Sequence, residues 1–267
     1  DPSGRNAARS ARSRAISLAV AAALLLGAAL NWTAVSKLVR SIRGGPPATP
    51  RIATTGVAEL DTVGLPDGSR AILAANSSLR YSISVLSGPR ELWLEGEALF
   101  EVKHDDERPF RVRTRRAVVE DLGTTFIVRE YAEDARARVI VRSGAAALHA
   151  KHDSSAPPVN LRAGDGAYID SSGAIARFAG DLENYESWTT GYLTFDAAPL
   201  PEVLSQLATW YDVEFRMSDT TLAKQYLTGG LSSTSLPRAL EVLGPIVHAR
   251  FERQGRVVAV TARPEGR

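Results

Sequence analysis

Few residues of this chain are suited to titrating or covalent chemistry. The four histidines, His104, His149, His152 and His248, supply one H-x-x-H pair, His149 and His152, with no third ligand at a metal-binding spacing. The pair lies by a loop rich in Lys, Asp and Ser, Lys151 to Pro158, and reads as a solvated turn. Asp105, Asp106 and Glu107 cluster ahead of Pro109, and nothing nearby supplies a paired acid of different environment that would point to acid and base catalysis. Arg111, Arg113, Arg115 and Arg116 have no aromatics between them and read as a solvated face, not as a nucleic-acid footprint. Asn76-Ser77-Ser78 fits the N-glycosylation pattern, which matters only in a eukaryotic secretory pathway. With no cysteine, thiolate metal sites, disulfides and thiol nucleophiles are excluded, and no cofactor motif is present. One pair has a covalent reading. At Gly123-Thr124 the threonine hydroxyl can attack the preceding carbonyl through a five-membered ring, turning the peptide bond into an ester open to water. The same dipeptide also reads as a tight turn, glycine supplying a positive φ and threonine opening the next strand.

The elements that must position these residues differ along the chain. Residues 1–43 hold seven Lys or Arg against one acid, which leaves the other 224 residues at a net −4. The sequence pI near 9.0 is thus a property of one short segment. Within it, Ala15 to Ser36 is an uncharged run rich in Ala and Leu. At about 1.5 Å per helical residue it reaches about 33 Å, enough for a hydrocarbon core of about 30 Å. Arg5, Arg9, Arg12 and Arg14 flank one end; Trp32, Lys37, Arg40 and Arg43 flank the other. The expected organisation is a basic, truncated cytoplasmic tail (1–14), a single transmembrane helix (15–36) and a linker (37–54) containing the helix-breaking GGPPATP. A cleaved signal peptide is the competing reading, and no A-x-A-like site supports it before Lys37.

From Gly56 to Phe178, short runs alternate apolar and polar residues with β-branched and aromatic enrichment, as in Phe110 to Arg113 and Arg138 to Val141. Turn residues punctuate them at Asp67-Gly68, Ser87-Gly88-Pro89, Gly144 and Asp165-Gly166. The expectation is an all-β domain over 55–186, solenoid-like or sandwich, within a mainly β protein. Over 187–267 a repeat predicts a small α+β lobe of two βαβ-like units. Leu200, Pro201, Leu204, Leu207 and Phe215 each stand 36 residues before Leu236, Pro237, Leu240, Leu243 and Phe251.

The succession LPDGS (Leu65 to Ser69), LEGEALFEV (Leu94 to Val102), RPFRVRT (Arg108 to Thr114), LGTTFIV (Leu122 to Val128) and LRAGDGA (Leu161 to Ala167) resembles the periplasmic domain of the FecR family. Ser143-Gly144 stands where that family commonly has Glu-Gly and reads as a surface change. The repeat resembles the short N-terminal domain of secretins and TonB-dependent transducers, the family's usual C-terminal lobe. The resemblance implies a non-enzymatic, single-pass regulator of the bacterial inner membrane with residues 37–267 in the periplasm. It also implies two partners: the signalling domain of an outer-membrane TonB-dependent transducer carrying a siderophore or other nutrient signal, and an extracytoplasmic-function sigma factor. The sigma factor would be held by a helical module before the span, of which only residues 1–14 appear here. Some similar proteins are self-cleaved at the Gly-Thr of this block, which makes Gly123 and Thr124 the candidate bond. Leu227, Thr228, Gly229, Gly230 and Leu231 form a candidate edge for partner-strand addition, or a buried bulge at the two glycines. An anchored envelope scaffold without sigma-factor control is the alternative, and a membrane-tethered hydrolase is a third reading for which no catalytic constellation is visible.

Overall fold

The computed structural model describes residues 50–82, 88, 90–121, 123–151, 157–178 and 183–263, without the side chains of 183 and 184. The chain divides into Asp1–Pro47 and Ala48–Arg267. The expected tail, span and most of the linker lie outside the described residues, as does His152. Among the described residues no helix is long and apolar enough to cross a membrane.

The first lobe is a 13-stranded sheet doubled back on itself. One leaf contains β1 (Arg51–Thr54), β4 (Ser78–Ser82), β6 (Phe110–Arg113), β7 (Ala117–Asp121), β10 (Ala145–Ala150) and β11 (Val159–Arg162). The other contains β2 (Asp61–Gly64), β3 (Arg70–Leu73), β8 (Thr125–Glu130), β9 (Ala137–Ser143), β12 (Gly166–Ile169) and β13 (Ile175–Phe178). The long strand β5 (Arg90–Glu101) belongs to both. Its first half pairs with β4 and β6, and from Gly96 onward it pairs with β8 and β3. Pairing is antiparallel except for β5 with β6. Two facing leaves around one core form a doubled sheet, not the stacked turns of a solenoid. The linker expected over 37–54 is shorter than the sequence implied. Arg51–Thr54 pairs with β4, satisfying backbone groups that a linker would leave to water.

Burial explains the two kinds of apolar pattern. In the first leaf, β7 and β10 alternate buried and half-buried residues, because one face meets the core and the other meets solvent. In the second leaf the runs are continuous: Phe126, Ile127 and Val128 are all buried, as are Val139, Ile140 and Val141. Phe126, Val128, Val139 and Val141 fill the space between leaves, where Phe126 stacks on Phe100 at 5.3 Å and Phe110 meets Phe100 edge-on at 6.1 Å. Ile127, Ile140 and Leu99 point the other way and join the core of the second lobe.

That lobe begins with α1 (Glu183–Glu186) and a 3-10 turn (Ser187–Thr190). It continues through β14 (Tyr192–Pro199), α2 (Leu200–Tyr211), β15 (Glu214–Met217), a second 3-10 turn (Thr220–Lys224), β16 (Tyr226–Ser232), α3 (Leu236–Ile246), β17 (Ala249–Gln254) and β18 (Val257–Ala262). Pro201 and Pro237 lie in the first turns of α2 and α3, where the missing N–H costs nothing. Both copies of the repeat form, but neither closes as a βαβ unit. β14 pairs antiparallel with β16 of the other copy, and β15 pairs parallel with β18, which pairs with β17. The two copies interlock instead, so that Leu193, Leu227, Leu204 and Leu243 share one core and the equivalent Phe215 and Phe251 meet edge-on at 6.3 Å.

The two lobes share this core, and both fall in the single unit Ala48–Arg267. Trp188, 6.3 Å from Trp210, belongs to the core, as do Ala74, Ala75 and Leu99 of the first lobe. Asn76 Nδ2 donates to Thr209 O at 2.8 Å, and Thr209 Oγ1 donates to Glu133 Oε1 at 2.9 Å.

Candidate functional site

The Gly123-Thr124 bond lies in the turn between β7 and β8, on the rim where the leaves meet. Asp121, the last residue of β7, accepts the Gly123 N–H on Oδ2 at 2.8 Å and so folds the chain back. Gly123 has φ +94, and a Cβ there would stand 2.8 Å from His104 Nδ1. Thr124 is buried; its Oγ1 donates to Ala145 O at 2.5 Å and its carbonyl accepts from Val102 N–H at 3.1 Å. Gly144 presses on the same bond, since a Cβ on it would stand 2.3 Å from Gly123 O. Ser143 is exposed, as a surface change should be, while its neighbour Gly144 is held to glycine by this contact. An open cleft of about 520 Å³, bordered by Arg70, Glu101, Lys103, Thr125 and Ser143, gives water access to the bond.

Asp121 is 5% exposed, and its Oδ1 has no hydrogen-bond partner among the described residues. Burial pushes its carboxyl above the usual aspartate range; the Thr124 hydroxyl, the Gly123 N–H, Arg90 and His104 pull the other way without cancelling it. The sequence reading did not single out Asp121. The D-x-G spacing at a strand end is the Asx-turn signal that could have found it.

The second candidate, Leu227–Leu231, is the body of β16. A strand lies on one side of it only, β14, among the described residues. Leu227 and Leu231 are 1% exposed and face the core, so their side chains are not available to a partner. Thr228, Gly229 and Gly230 are exposed, and the two glycines do not form a buried bulge. The register shift lies on the facing strand, between Phe195 and Ala198, where Ala197 N–H donates to Thr228 Oγ1 at 2.9 Å. Tyr192 and Tyr226, both exposed, flank this surface at opposite ends.

The other charged and polar residues have structural partners. Arg111 pairs with Glu120 at 2.7 Å, Arg113 with Glu91 at 3.0 Å, and Arg115 and Arg116 both reach Glu130. Asp105 pairs with Arg108 at 2.7 Å, and exposed His104 with Asp106 at 3.0 Å. Asn76 has its amide turned to Thr209 and is not a free glycan acceptor. No group of three or more His, Asp or Glu able to hold a metal occurs among the described residues. Sequence reading also missed a buried ion cluster near the lobe boundary, in which Glu97 receives Arg129 at 3.1 Å and Arg138 at 3.2 Å. Its members come from β5, β8 and β9, and nothing in their sequence spacing announces the meeting.

The described residues thus form a doubled β lobe fused through a shared core to an interlocked α+β repeat, with a surface strand edge. Comparison with known families then gives a specific assignment. Residues 51–147 match the FecR protein family and residues 192–260 match the family described as FecR, C-terminal. The chain belongs to the FecR family of regulators. Two crystal structures, each of a protein assigned as an anti-sigma factor from Parabacteroides distasonis, resemble it. One is 26% identical with a TM-score of 0.67, over 80% of this chain and 99% of that one. The other is 27% identical with a TM-score of 0.68, over 79% and 99%. No curated protein matches the sequence.

Proposed function

We propose that this protein is a single-pass transducer of the bacterial inner membrane that regulates an extracytoplasmic-function sigma factor. Ala15 to Ser36 spans the bilayer and residues 37–267 lie in the periplasm. The pair of FecR matches on one compact two-lobed unit carries this reading, and the likeness to two assigned anti-sigma factors supports it. The periplasmic unit receives the signalling domain of an outer-membrane TonB-dependent transducer bearing a siderophore or other nutrient signal. The receiving strand is β16, whose Thr228–Leu231 edge is the docking line. The Gly123–Thr124 bond is self-cleaved, leaving two fragments held together by the shared sheet.

The test is co-purification, in detergent, of the protein as its source organism encodes it, with any residues that precede Asp1, with each extracytoplasmic-function sigma factor of that organism, paired with a transcriptional reporter for any that binds. Binding of one sigma factor and a change in its output when the chain is deleted are expected. If none binds and no reporter responds, the protein is the anchored envelope scaffold instead.

A further inference from the structure

The turn at Gly123 brings together more than a glycine and a hydroxyl. Asp121 lies two residues before the bond, is buried, and spends only one of its carboxylate oxygens on the turn itself. We propose that Asp121 is the proton-transfer group of a self-cleaving site at Gly123–Thr124. The inference rests on the reading that this bond is cut by the chain itself.

The step balances as follows. Thr124 Oγ1 bonds to the Gly123 carbonyl carbon while its proton passes to the Asp121 carboxylate, giving a five-membered tetrahedral intermediate. The carbon–nitrogen bond then breaks, and Asp121 returns the proton to the departing Thr124 nitrogen. The product is an ester between the Gly123 acyl group and the Thr124 oxygen. Water from the adjoining cleft hydrolyses it to a Gly123 carboxylate, a restored Thr124 hydroxyl and a free Thr124 amine. No oxidant, metal or cofactor enters.

Three features of the site suit this chemistry. Asp121 is held at the bond itself, its Oδ2 accepting the Gly123 N–H at 2.8 Å while its buried Oδ1 is left without a partner among the described residues and free to take a proton. Burial holds the carboxyl above the ordinary aspartate range, and a stronger base is a better proton acceptor once ionised. Gly144 packs directly on Gly123 O, so that any side chain there would strike the carbonyl, and the bond is held in one position by its neighbours. The ground-state bond from Thr124 to Ala145 O fixes the hydroxyl's rotamer and must be given up as the proton moves to Asp121.

The residues packed beside Asp121 leave few competitors. Across the strands its partners are Phe110 of β6 and Ala146 of β10, neither titratable. The charged groups that act on it are Arg90 and His104.

The experiment follows splitting of newly made, purified full-length chain by intact mass, reading the 1–123 and 124–267 fragments over time. Wild type is expected to split and Thr124→Ala to stay whole. Asp121→Asn, which keeps an oxygen for the Gly123 N–H, should split about 100-fold more slowly or less, and Asp121→Glu should recover part of the rate. The wild-type rate should fall as pH drops through the raised Asp121 range, and that dependence should vanish in Asp121→Asn. Were His104 the base, the asparagine variant would keep the pH profile, overturning the assignment. Splitting of Asp121→Asn at the wild-type rate, with Thr124→Ala intact, would overturn the role of Asp121 and leave self-cleavage standing. A wild-type chain that stays whole would remove self-cleavage and this inference together. Should Asp121→Asn fail to fold, the wild-type pH profile decides: a rate that does not fall as pH drops toward the ordinary aspartate range rules Asp121 out.

Discussion

Gly123 and Gly229 are both glycines at positive φ, +94 and +139, yet their surroundings are opposite. A Cβ on Gly123 would meet His104, and Gly144 in turn abuts Gly123 O; a Cβ on Gly229 would meet nothing within 4 Å. One glycine is enclosed by packing and charge, at a bond where covalent chemistry can be held in place. The other opens a strand edge to solvent, where a second chain can approach the backbone. Positive-φ glycine is thus packed against its neighbours at one position and open to solvent at the other, and what differs is the density of neighbours.

The largest expected effect is on the enclosed site. Thr124→Ala should abolish the split near residue 123, whereas Thr124→Ser, which keeps a hydroxyl, should retain it; mass spectrometry of the purified chain reads both. If both fragments persist in Thr124→Ala, a protease makes the cut and the contrast with Gly229 loses its chemical half.

Gly144→Ala comes next. It places a methyl 2.3 Å from a backbone oxygen at φ +80, and should lower unfolding stability by about 2–4 kcal/mol. Urea unfolding measures it, and a loss under about 1 kcal/mol would mean that the turn yields easily and is not a rigid enclosure.

Two carboxyls at the ends of consecutive strands, Asp121 closing β7 at the first site and Glu130 closing β8 away from it, should respond to pH with opposite signs. The Asp121 carboxyl is raised above its usual 3.8, so its contribution is present below that value and is lost as pH rises through the raised pKa. Glu130 is the reverse. Burial would raise it, but hydrogen bonds from Thr114, Arg116 and Arg115 outweigh burial and hold it below 4.5. Its contribution is present above 4.5 and lost as pH falls through the lowered value. Stability of Asp121→Asn relative to wild type should therefore improve from about pH 3 to 7, and that of Glu130→Gln should worsen, as read by urea titrations across the range. A ratio constant with pH in either variant would remove the corresponding assignment.

The smallest stability effect belongs to the open site. A Cβ at Gly230 comes no closer than 3.7 Å to Tyr192, so Gly230→Lys should change stability by less than about 0.5 kcal/mol. A lysine there should nevertheless weaken binding of a transducer signalling domain by tenfold or more, because charge on a strand edge opposes pairing. Calorimetric titration tests this, and unchanged affinity would move the docking line away from β16.

Much of this molecule is legible in its residues because local physics fixed it. Alternating apolar runs give strands wherever one face is buried, and a repeat spaced by 36 residues gives two helices with proline in their first turns. The turn at the Gly-Thr pair and the glycine-bearing strand are both visible in the chain, since turn and strand preferences lie in neighbouring residues. What the chain alone left open depends on distant contacts. Continuous runs such as Phe126-Ile127-Val128 become intelligible only when a second lobe covers the outer face of their leaf. The interlocking of the two repeat copies, the burial of Asp121, and the approach of Gly144 and His104 to one peptide bond are likewise set by tertiary packing. Sequence spacing encodes which face a side chain takes along its own strand; which strand lies opposite, and how dry the space between them is, follows from the burial of all the apolar faces together.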